Sequence, residues 1–550
     1  MSQVLAPPAA AEVRGPGSTF AGARELARLA IRRDRIMLPV WIYALTAIGA
    51  SGGYAVKQIY KTPAARASLI GSIRHDQALS FLYGQLHGSS LGALVAWRYL
   101  SYAALAAGLM SIFLVVRHTR ADEETGRFEL IGSTCVGRHA SLAVALTVAA
   151  AANAVVGVLT AAVLTLTGLP LTGALAFGLA ECGCGLVFAA VAAVAAQVSG
   201  TARGARGLSI AALGVVFFLR AAGDSGGSHG LSWLTWLSPV GWAELVQPFA
   251  AERWWVLAMP AISTVVGVAV AFALAAVRDQ GAGLVQPGAG PASAGPLLRG
   301  PLGLAWRLQR AALTGWAAGF LAGGLAIGVV ANGIGQLIGS HSGATAKTLV
   351  RIGQQRELTS AYLAACVSLL AMVAGAYAVA AVLRLRTEET DGHAEPMLAA
   401  PVSRLWWAGS QLLAVALGTA AVLVVGGFGM GLGYGLASSA LSHELPSLVG
   451  ASLAQIPAAL VIAGVAAAAT GLLPRWSAGI GWAAVAVAVV ISVFGPAFNL
   501  SQALLDISPF THAPKLPGGV LTAAPLIWLS ALALALVAAG LAGLRRRDIG

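Results

Sequence analysis

The chain has 550 residues, of which 58% are hydrophobic and only 10% are charged. A soluble domain carries about 25% charged residues, so this composition excludes an ordinary soluble protein. The net charge of +13 comes from short basic segments between apolar runs, which is typical of topology control and argues against nucleic-acid binding. Backbone N–H and C=O groups in lipid must form hydrogen bonds within the protein. Apolar runs of this length favour helices over barrel strands. We therefore predict an all-α polytopic membrane protein.

The segment before the first apolar run is polar and rich in arginine. No small-residue cleavage pattern follows that run, so we expect no cleavable signal peptide. Apolar and basic residues recur at helical spacing, which predicts an amphipathic helix over about 19–36 in the headgroup layer. A simple basic flank is the alternative.

Twelve apolar runs follow along the chain, and we predict about twelve transmembrane helices. The run at 207–222 is short for a membrane span. Arginines dominate alternate segments between the runs, and the four lysines lie in the other segments. The positive-inside rule then places the Arg-rich side and both termini in the cytoplasm. The runs are 37–55, 97–116, 140–167, 172–198, 207–222, 255–277, 313–333, 359–383, 405–432, 450–473, 478–495 and 521–544.

Four local matches recur at a spacing of about 270 residues, which indicates duplication of a six-helix unit. We predict a first half over 1–278, a flexible Gly/Pro-rich cytoplasmic linker over 279–300, and a second half over 301–550. Six spans are an even number, so the halves should share one orientation around a pseudo-two-fold axis along the membrane normal, with the transport path between them. The matches pair 29–41 with 304–316, 117–129 with 384–395, 179–181 with 453–455, and 238–239 with 508–509.

Sequence patterns for catalysis or nucleotide binding are missing. No segment reads Gly-x-x-x-x-Gly-Lys-Ser/Thr, and no soluble stretch is long enough for an ATPase domain. No His/Asp/Glu cluster has metal-ligand spacing, and the cysteines lack a zinc pattern. We therefore expect no catalytic site, no metal site and no cofactor in this chain.

Acidic pairs interrupt the Arg-rich segments at matching places in both halves. One segment reads Glu123-Glu124-Thr125-Gly126-Arg127-Phe128-Glu129, and the other reads Glu388-Glu389-Thr390-Asp391-Gly392-His393-Ala394-Glu395. Each is either a solvated helix end that balances nearby arginines or a short helix that docks onto a partner protein.

The first acidic segment and five further segments make the chain resemble a known family. The further segments are Val136-Gly137-Arg138, LTWLSPVGW at 234–242, Arg253-Trp254-Trp255, 507–512 and 543–549. It resembles the fused, twelve-span permeases of ABC-2-type exporters, the actinobacterial group associated with polyketide antibiotics such as tetronasin. The matches span nearly the whole chain.

The resemblance implies outward transport of hydrophobic or amphipathic small molecules, including antibiotics and drugs, across a bacterial inner membrane. It implies a separate ATPase subunit, in two copies, that binds ATP and Mg²⁺. It also implies that the acidic segments are coupling loops seated on that ATPase. Asp391-Gly392-His393 departs from the family pattern, which leaves open whether the two loops are equivalent. The coupling residues are Glu123, Glu124, Gly126, Arg127, Glu129, Glu388, Glu389 and Glu395.

Glu181 lies near the middle of the fourth predicted span, and Gln455 is its repeat partner. A carboxylate at that depth costs about 2.5–3.5 kcal/mol, so it should face the bundle interior or water. We assign both residues to an asymmetric substrate pathway that favours cationic or polar groups. A protonated Glu181 bonded to a neighbouring helix is the alternative. Asn153, Asn332 and Gln411 are expected to form interhelical hydrogen bonds.

The outer segments 56–96 and 223–254 are long, and their tryptophans fit an interfacial belt. The resemblance suggests short outer helices that dip into the membrane and close the exit, and Pro239 would interrupt such a helix. We assign the outer gate to Trp236, Pro239, Trp242 and Pro509, with an ordinary interfacial loop as the alternative.

Two other function classes remain open. A proton-driven secondary transporter would use Glu181 as its proton carrier, but the paired acidic loops would then have no role. A membrane enzyme or lipid-handling scaffold would need a catalytic cluster, and the sequence offers none.

Overall fold

The computed structural model describes residues 19–59, 67, 70–71, 80–81, 83–126, 136–225, 232–279, 281–285, 293, 295, 300–339, 345–494 and 501–547. The chain divides into two compact units, Met1–Gly290 and Pro291–Gly550. Each unit is built from helices.

The first unit begins with a short helix that precedes the membrane spans. Long apolar helices follow, and short helices lie between the last two of them. The helices of this unit are α1 (Ala23–Arg33), α2 (Met37–Ile59), α3 (Leu91–His118), α4 (Arg120–Glu124), α5 (Ala140–Leu166), α6 (Leu171–Val198), α7 (Ala202–Ser225), α8 (Pro239–Leu245) and α9 (Ala258–Val277), with 3-10 turns at Ser232–Leu237 and Trp254–Leu257.

The second unit repeats this order with two longer helices at its start. Its helices are α10 (Pro301–Gly339), α11 (Thr345–Thr390), α12 (Ala394–Ala399), α13 (Arg404–Ala437), α14 (Leu441–Ala454), α15 (Ile456–Leu472), α16 (Ser477–Phe494), α17 (Gln502–Leu505), α18 (Pro509–His512) and α19 (Ala523–Arg546).

All twelve predicted apolar runs coincide with helices. Within the described ranges, ten helices are long and apolar enough to cross a membrane, and shorter apolar helices lie at Met37–Gly49 and Ser477–Val493. The prediction of an all-α polytopic membrane protein is confirmed. The helix at the short run 207–222 is longer than the run itself. This helix, α7, extends to residue 225 and contains the buried Arg220.

The two units differ at the first pair of matching segments, 29–41 and 304–316. In the first unit a turn at 34–36 separates α1 from α2, and Pro39 lies near the start of α2. In the second unit Thr314 stands at the repeat position of Pro39, and α10 runs without a break from residue 301 to residue 339. Proline has no N–H for the helix ladder, so it favours a helix start over an interior position.

Glycines allow close helix packing in both units. In the first, a methyl group on Gly157 of α5 would lie 2.6 Å from the Gly178 carbonyl oxygen of α6, so only glycine fits there. In the second, the glycine run at 426–435 of α13 presents one set of glycines to α10 and another set to α14. Small residues let helix backbones approach closely in a membrane, where apolar burial gives little driving force.

Candidate functional site

The first acidic segment forms α4, which begins after a backbone break at Thr119 with φ −120° and ψ −93°. Glu123 on α4 is bound within the unit. Its carboxylate accepts hydrogen bonds from Arg120 Nη1 at 2.6 Å and from Arg278 Nη1 and Nη2 at 2.8 and 2.6 Å. Only 11% of the Glu123 side chain is exposed. Glu123 is therefore an internal ion-pair partner.

Arg120 also fixes the start of the linker. Its guanidinium donates to the carbonyl oxygens of Gly281 at 2.9 Å and Ala282 at 3.2 Å. The chain at 284–285 pairs with the end of α6, where Leu284 N–H donates to the Gln197 carbonyl at 3.1 Å. The predicted flexible linker over 279–300 is thus ordered at 281–285, because backbone hydrogen bonds and Arg120 hold this part.

The second acidic segment contains an equivalent glutamate that is held by two arginines. Glu389 is 5% exposed and accepts from Arg386 Nη1 at 2.9 Å and from Arg547 Nη2 at 2.7 Å. Arg547 directly follows α19, just as Arg278 directly follows α9. The ion pairs therefore occupy equivalent places in the two units.

A third arginine completes each set. Arg138 Nη2 donates to the Arg278 carbonyl oxygen at 2.7 Å, and Arg404 Nη1 donates to the Arg547 carbonyl oxygen at 3.0 Å. We call each set of four residues a clamp. The first clamp is Arg120, Glu123, Arg138 and Arg278, and the second clamp is Arg386, Glu389, Arg404 and Arg547.

Other acidic residues of the predicted coupling loops lie at the surface. Glu124 and Glu395 are exposed, and Glu388 is half-buried with an oxygen 3.4 Å from His393 Nδ1. Gly126 adopts a left-handed φ of 67° directly after Thr125. Arg127 and Glu129 lie outside the described residues. The structure thus separates each acidic pair into one clamped and one more exposed glutamate.

Ion pairs also join α1 to the first acidic segment. Arg33 donates to both carboxylate oxygens of Asp122, at 2.8 and 3.0 Å. The buried Asp34 carboxylate contacts Arg117 Nε at 3.1 Å and His118 Nε2 at 2.5 Å. The short helix α1 is therefore anchored to the end of α3 and to α4.

Glu181 and Gln455, assigned to the substrate pathway, have different surroundings. Glu181 is fully buried on α6, with the Thr160 hydroxyl of α5 beside its carboxylate. Gln455 lies at the break between α14 and α15, where its Nε2 donates to the Pro514 carbonyl at 3.3 Å. Glu181 faces the interior of its unit, as its depth required.

Two interhelical bonds predicted from polar membrane residues are confirmed. Asn153 on α5 donates to Ser111 Oγ on α3 at 2.8 Å. Gln411 on α13 accepts from Gln309 on α10 at 3.2 Å. Each bond stays within one unit and gives a partner to an amide group that lipid cannot solvate.

The outer-gate residues of the first unit lie in its short outer helices. The Trp236 ring stacks on Trp255 with centroids 5.8 Å apart, and Trp242 Nε1 donates to the Trp236 carbonyl at 2.6 Å. Pro239 is the first residue of α8, so it starts a helix after the 3-10 turn ends at Leu237. In the second unit Pro509 likewise starts α18.

A buried charge cluster beneath these outer helices was missed by the sequence analysis. Arg220 Nη1 lies 3.6 Å from Asp224 Oδ2 and 3.4 Å from Glu244 Oε1. Thr235 donates to Asp224 at 3.0 Å, and Ser101 donates to Glu244. Burial raises the pKa of Glu244 well above its usual range. Arg220 and Asp224 stand four residues apart beside an apolar run, and this helical spacing was the available signal.

The basic clamp residues were also missed as site residues. Arg278 is the first arginine after the last predicted span of its half, whereas Arg547 follows Arg545 and Arg546, and Arg120 and Arg386 each precede a glutamate by three residues. A comparison of the two halves by position would have paired them. Nothing in one sequence shows that they meet, because Glu123 and Arg278 are far apart along the chain.

The chain shows clear similarity to known transport proteins. The family described as the C-terminal domain of multidrug efflux system permease Rv1217c matches residues 298–545. The relative named "Multidrug efflux system permease protein Rv1217c", from Mycobacterium tuberculosis, is 40% identical over 534 residues. That alignment covers 97% of this chain and 96% of the relative.

Proposed function

The chain belongs to the multidrug efflux permease family that includes Rv1217c, and from this premise we propose that it is the membrane subunit of an ATP-driven ABC exporter. In this proposal it moves hydrophobic or amphipathic small molecules, such as antibiotics and drugs, out of a bacterial cell. A separate ATPase subunit, in two copies, binds ATP and Mg²⁺, and the permease chain contributes no catalytic group.

The observation that carries the proposal is the paired acidic loop. Each unit has carboxylates that are more exposed than its clamped glutamate: Glu124 and Glu395 are exposed, and Glu388 is half-buried. A loop that transmits force needs exposed groups to bind its partner and a rigid base behind them. The exposed acids supply the first, and the clamps supply the second.

The arginine distribution supports a place in the inner membrane with the acidic loops and both termini in the cytoplasm. Both clamps consist of residues that follow or precede membrane helices on the Arg-rich side of the predicted topology. An ATPase that uses cellular ATP must bind on that side.

The test is to purify the full chain together with the ATPase encoded beside it and to reconstitute both in lipid vesicles. A stable complex with drug-stimulated ATP hydrolysis is expected. The double variant Glu124→Lys/Glu388→Lys should still assemble but lose drug stimulation by about tenfold or more. Glu25→Lys, at an exposed position on α1, is the matched control and should behave like the wild type.

Full drug stimulation in the Glu124→Lys/Glu388→Lys variant would count against the coupling role of these loops. Uphill drug efflux by the chain alone, without any ATPase, would overturn the proposed function. Glu123→Lys is unsuitable for this test, because it would place a third cation against Arg120 and Arg278.

A proton-coupled secondary transporter is the second candidate function, and the buried Glu181 favours it. A fully buried carboxylate within a membrane span is a candidate proton carrier. In that case a protonophore should abolish efflux, and Glu181→Gln should do the same. In the ABC exporter, a protonophore leaves ATP-driven efflux intact, and Glu181→Gln with Gln455→Ala changes which compounds are exported.

The outer gate belongs to the same proposal. Trp236, Trp242 and Pro239 in the first unit, with Pro509 in the second, are proposed to close the exit on the outer side. The stacked Trp236–Trp255 pair and the helix starts at both prolines support this role.

A further inference from the structure

We infer that Arg278 and Arg547 are positioning residues that link each acidic loop to the cytoplasmic end of the last membrane helix of its own half, so that a displacement of the loop moves that helix. This inference rests on the proposed function, because it assigns a path to the force that the ATPase would apply to the loops.

Each of these arginines is joined to the end of the last helix and to the acidic segment of its unit at the same time, and the second acidic segment includes Glu389 in the last turn of α11. The Arg278 backbone N–H donates to the Leu274 carbonyl at 3.1 Å, which attaches the residue to the end of α9. Its side chain holds both oxygens of Glu123. A two-bond contact between a guanidinium and a carboxylate fixes both distance and orientation, unlike a single flexible ion pair.

The third arginine of each clamp connects the end of the last helix to the segment that follows the acidic residues. Arg138 lies just before α5 and binds the carbonyl oxygen of Arg278. Arg404 begins α13 and binds the carbonyl oxygen of Arg547 in the same way. The same helix end is therefore connected to both sides of the acidic segment, and this holds in each unit independently.

The two last helices differ in how much else restrains them. In α9 only Pro260 and Ala271 are buried, and near the clamped end Phe272 and Ala275 pack against the core only in part. In α19 the buried Gly540 and Gly543 pack against Gly471 of α15. The first clamp should therefore matter more for transmission than the second clamp.

The first test uses the chain alone in lipid nanodiscs and measures amide hydrogen exchange. Arg278→Gln should speed exchange both at 120–125 and at 273–277, because the loop and the helix end lose their connection. The control is Arg203→Gln, which removes an exposed arginine from the same unit. Unchanged exchange at 273–277 in Arg278→Gln would overturn the inference, whatever the chain transports.

The second test measures transmission in the reconstituted complex. Arg278→Gln should keep assembly and basal ATP hydrolysis but lower drug-stimulated hydrolysis and transport by about tenfold. Arg547→Gln should lower them less, and Arg203→Gln should leave them unchanged. Wild-type coupling in Arg278→Gln would overturn the inference and leave the proposed function standing. Absence of ATP-driven transport in the wild-type complex would overturn both.

A covalent cross-link between positions 123 and 278 distinguishes a loss of coupling from a loss of protein stability. In a chain whose four native cysteines are replaced by alanine, Glu123→Cys and Arg278→Cys are joined by a short bis-maleimide. The unlinked variant should be uncoupled, and the linked variant should regain drug-stimulated hydrolysis. Failure of the link to restore coupling in a folded, assembled complex would contradict the assigned role.

Discussion

Neighbouring glutamates in each acidic loop have different environments, although the sequence presents them as equivalent pairs. Glu123 and Glu389 are enclosed by arginines, whereas Glu124 is exposed and Glu388 is half-buried. A charge that is paired and largely removed from water contributes to the fold, and its loss leaves its partner unpaired. A surface charge contributes little to stability and remains available for a partner.

This difference predicts opposite consequences for two adjacent substitutions. Glu123→Gln should lower the free energy of unfolding by about 3 kcal/mol, because Arg120 and Arg278 keep their charge in a largely buried place. Glu124→Gln should change it by less than about 0.5 kcal/mol. Unfolding of the purified chain in mixed micelles measures both. Equal effects of the two substitutions would show that Glu123 is not held as described.

His87 predicts a dependence of stability on pH. Burial, with a smaller contribution from the positive Arg253, lowers the pKa of His87. The unfolded chain therefore binds a proton at about pH 6.5, where the folded chain does not. This contribution to stability is complete above that pH and is lost as the pH falls below it. His87→Gln should flatten the thermal stability profile between about pH 5 and 7, and an unchanged profile would contradict the assignment.

At the scale of helices, the glycine run of α13 decides how three helices pack. Gly429 and Gly433 allow α10 to approach on one side, and Gly431 and Gly435 allow α14 to approach on the other. In the sequence this run is part of one more apolar span. A run of alternating glycines does not indicate which neighbours approach, because the partners Leu321 and Leu445 come from different parts of the chain.

Substitution of these glycines should act through helix packing. A methyl group on Gly429 would overlap the backbone carbonyl oxygen of Leu321, so Gly429→Leu should destabilise the second unit by about 1–3 kcal/mol or prevent its assembly. Gly409→Leu in the same helix is the control, since a methyl group there would meet nothing within 4 Å. Detergent-solubilised protein is compared by size-exclusion and thermal unfolding. Equal stability of the two variants would exclude the close α10–α13 contact.

At the scale of the whole molecule, two units of similar helix order carry the same clamp at equivalent positions. The predicted pseudo-two-fold axis and the transport path between the halves remain predictions. The predicted orientation follows from the arginines alone, because they are held back from translocation across the membrane.

The orientation can be tested with fusions to the C-terminus after residue 550. Green fluorescent protein should fluoresce there, and alkaline phosphatase should be inactive, because fluorescence needs cytoplasmic folding and the phosphatase needs the oxidising outer side. The same fusions inserted after Gly519, in the predicted outer segment of the second half, should give the reverse pattern. Matching patterns at both positions would contradict the twelve-span topology.

The sequence by itself determined that the chain lies in lipid and that it is built from α-helices. It also determined the positions of all twelve apolar helices and the repeat of the acidic loops. Hydrophobicity and charge act locally along the chain, so they can be read without knowing which residues meet. Only the tertiary structure decided that Glu123 and Glu389 are clamped, that Arg278 and Arg547 hold them, and that Arg220 is buried with two carboxylates. The contacts of Arg278 and Arg547 join residues far apart in sequence, and the energies of all these ion pairs depend on exclusion from water, which folding alone creates.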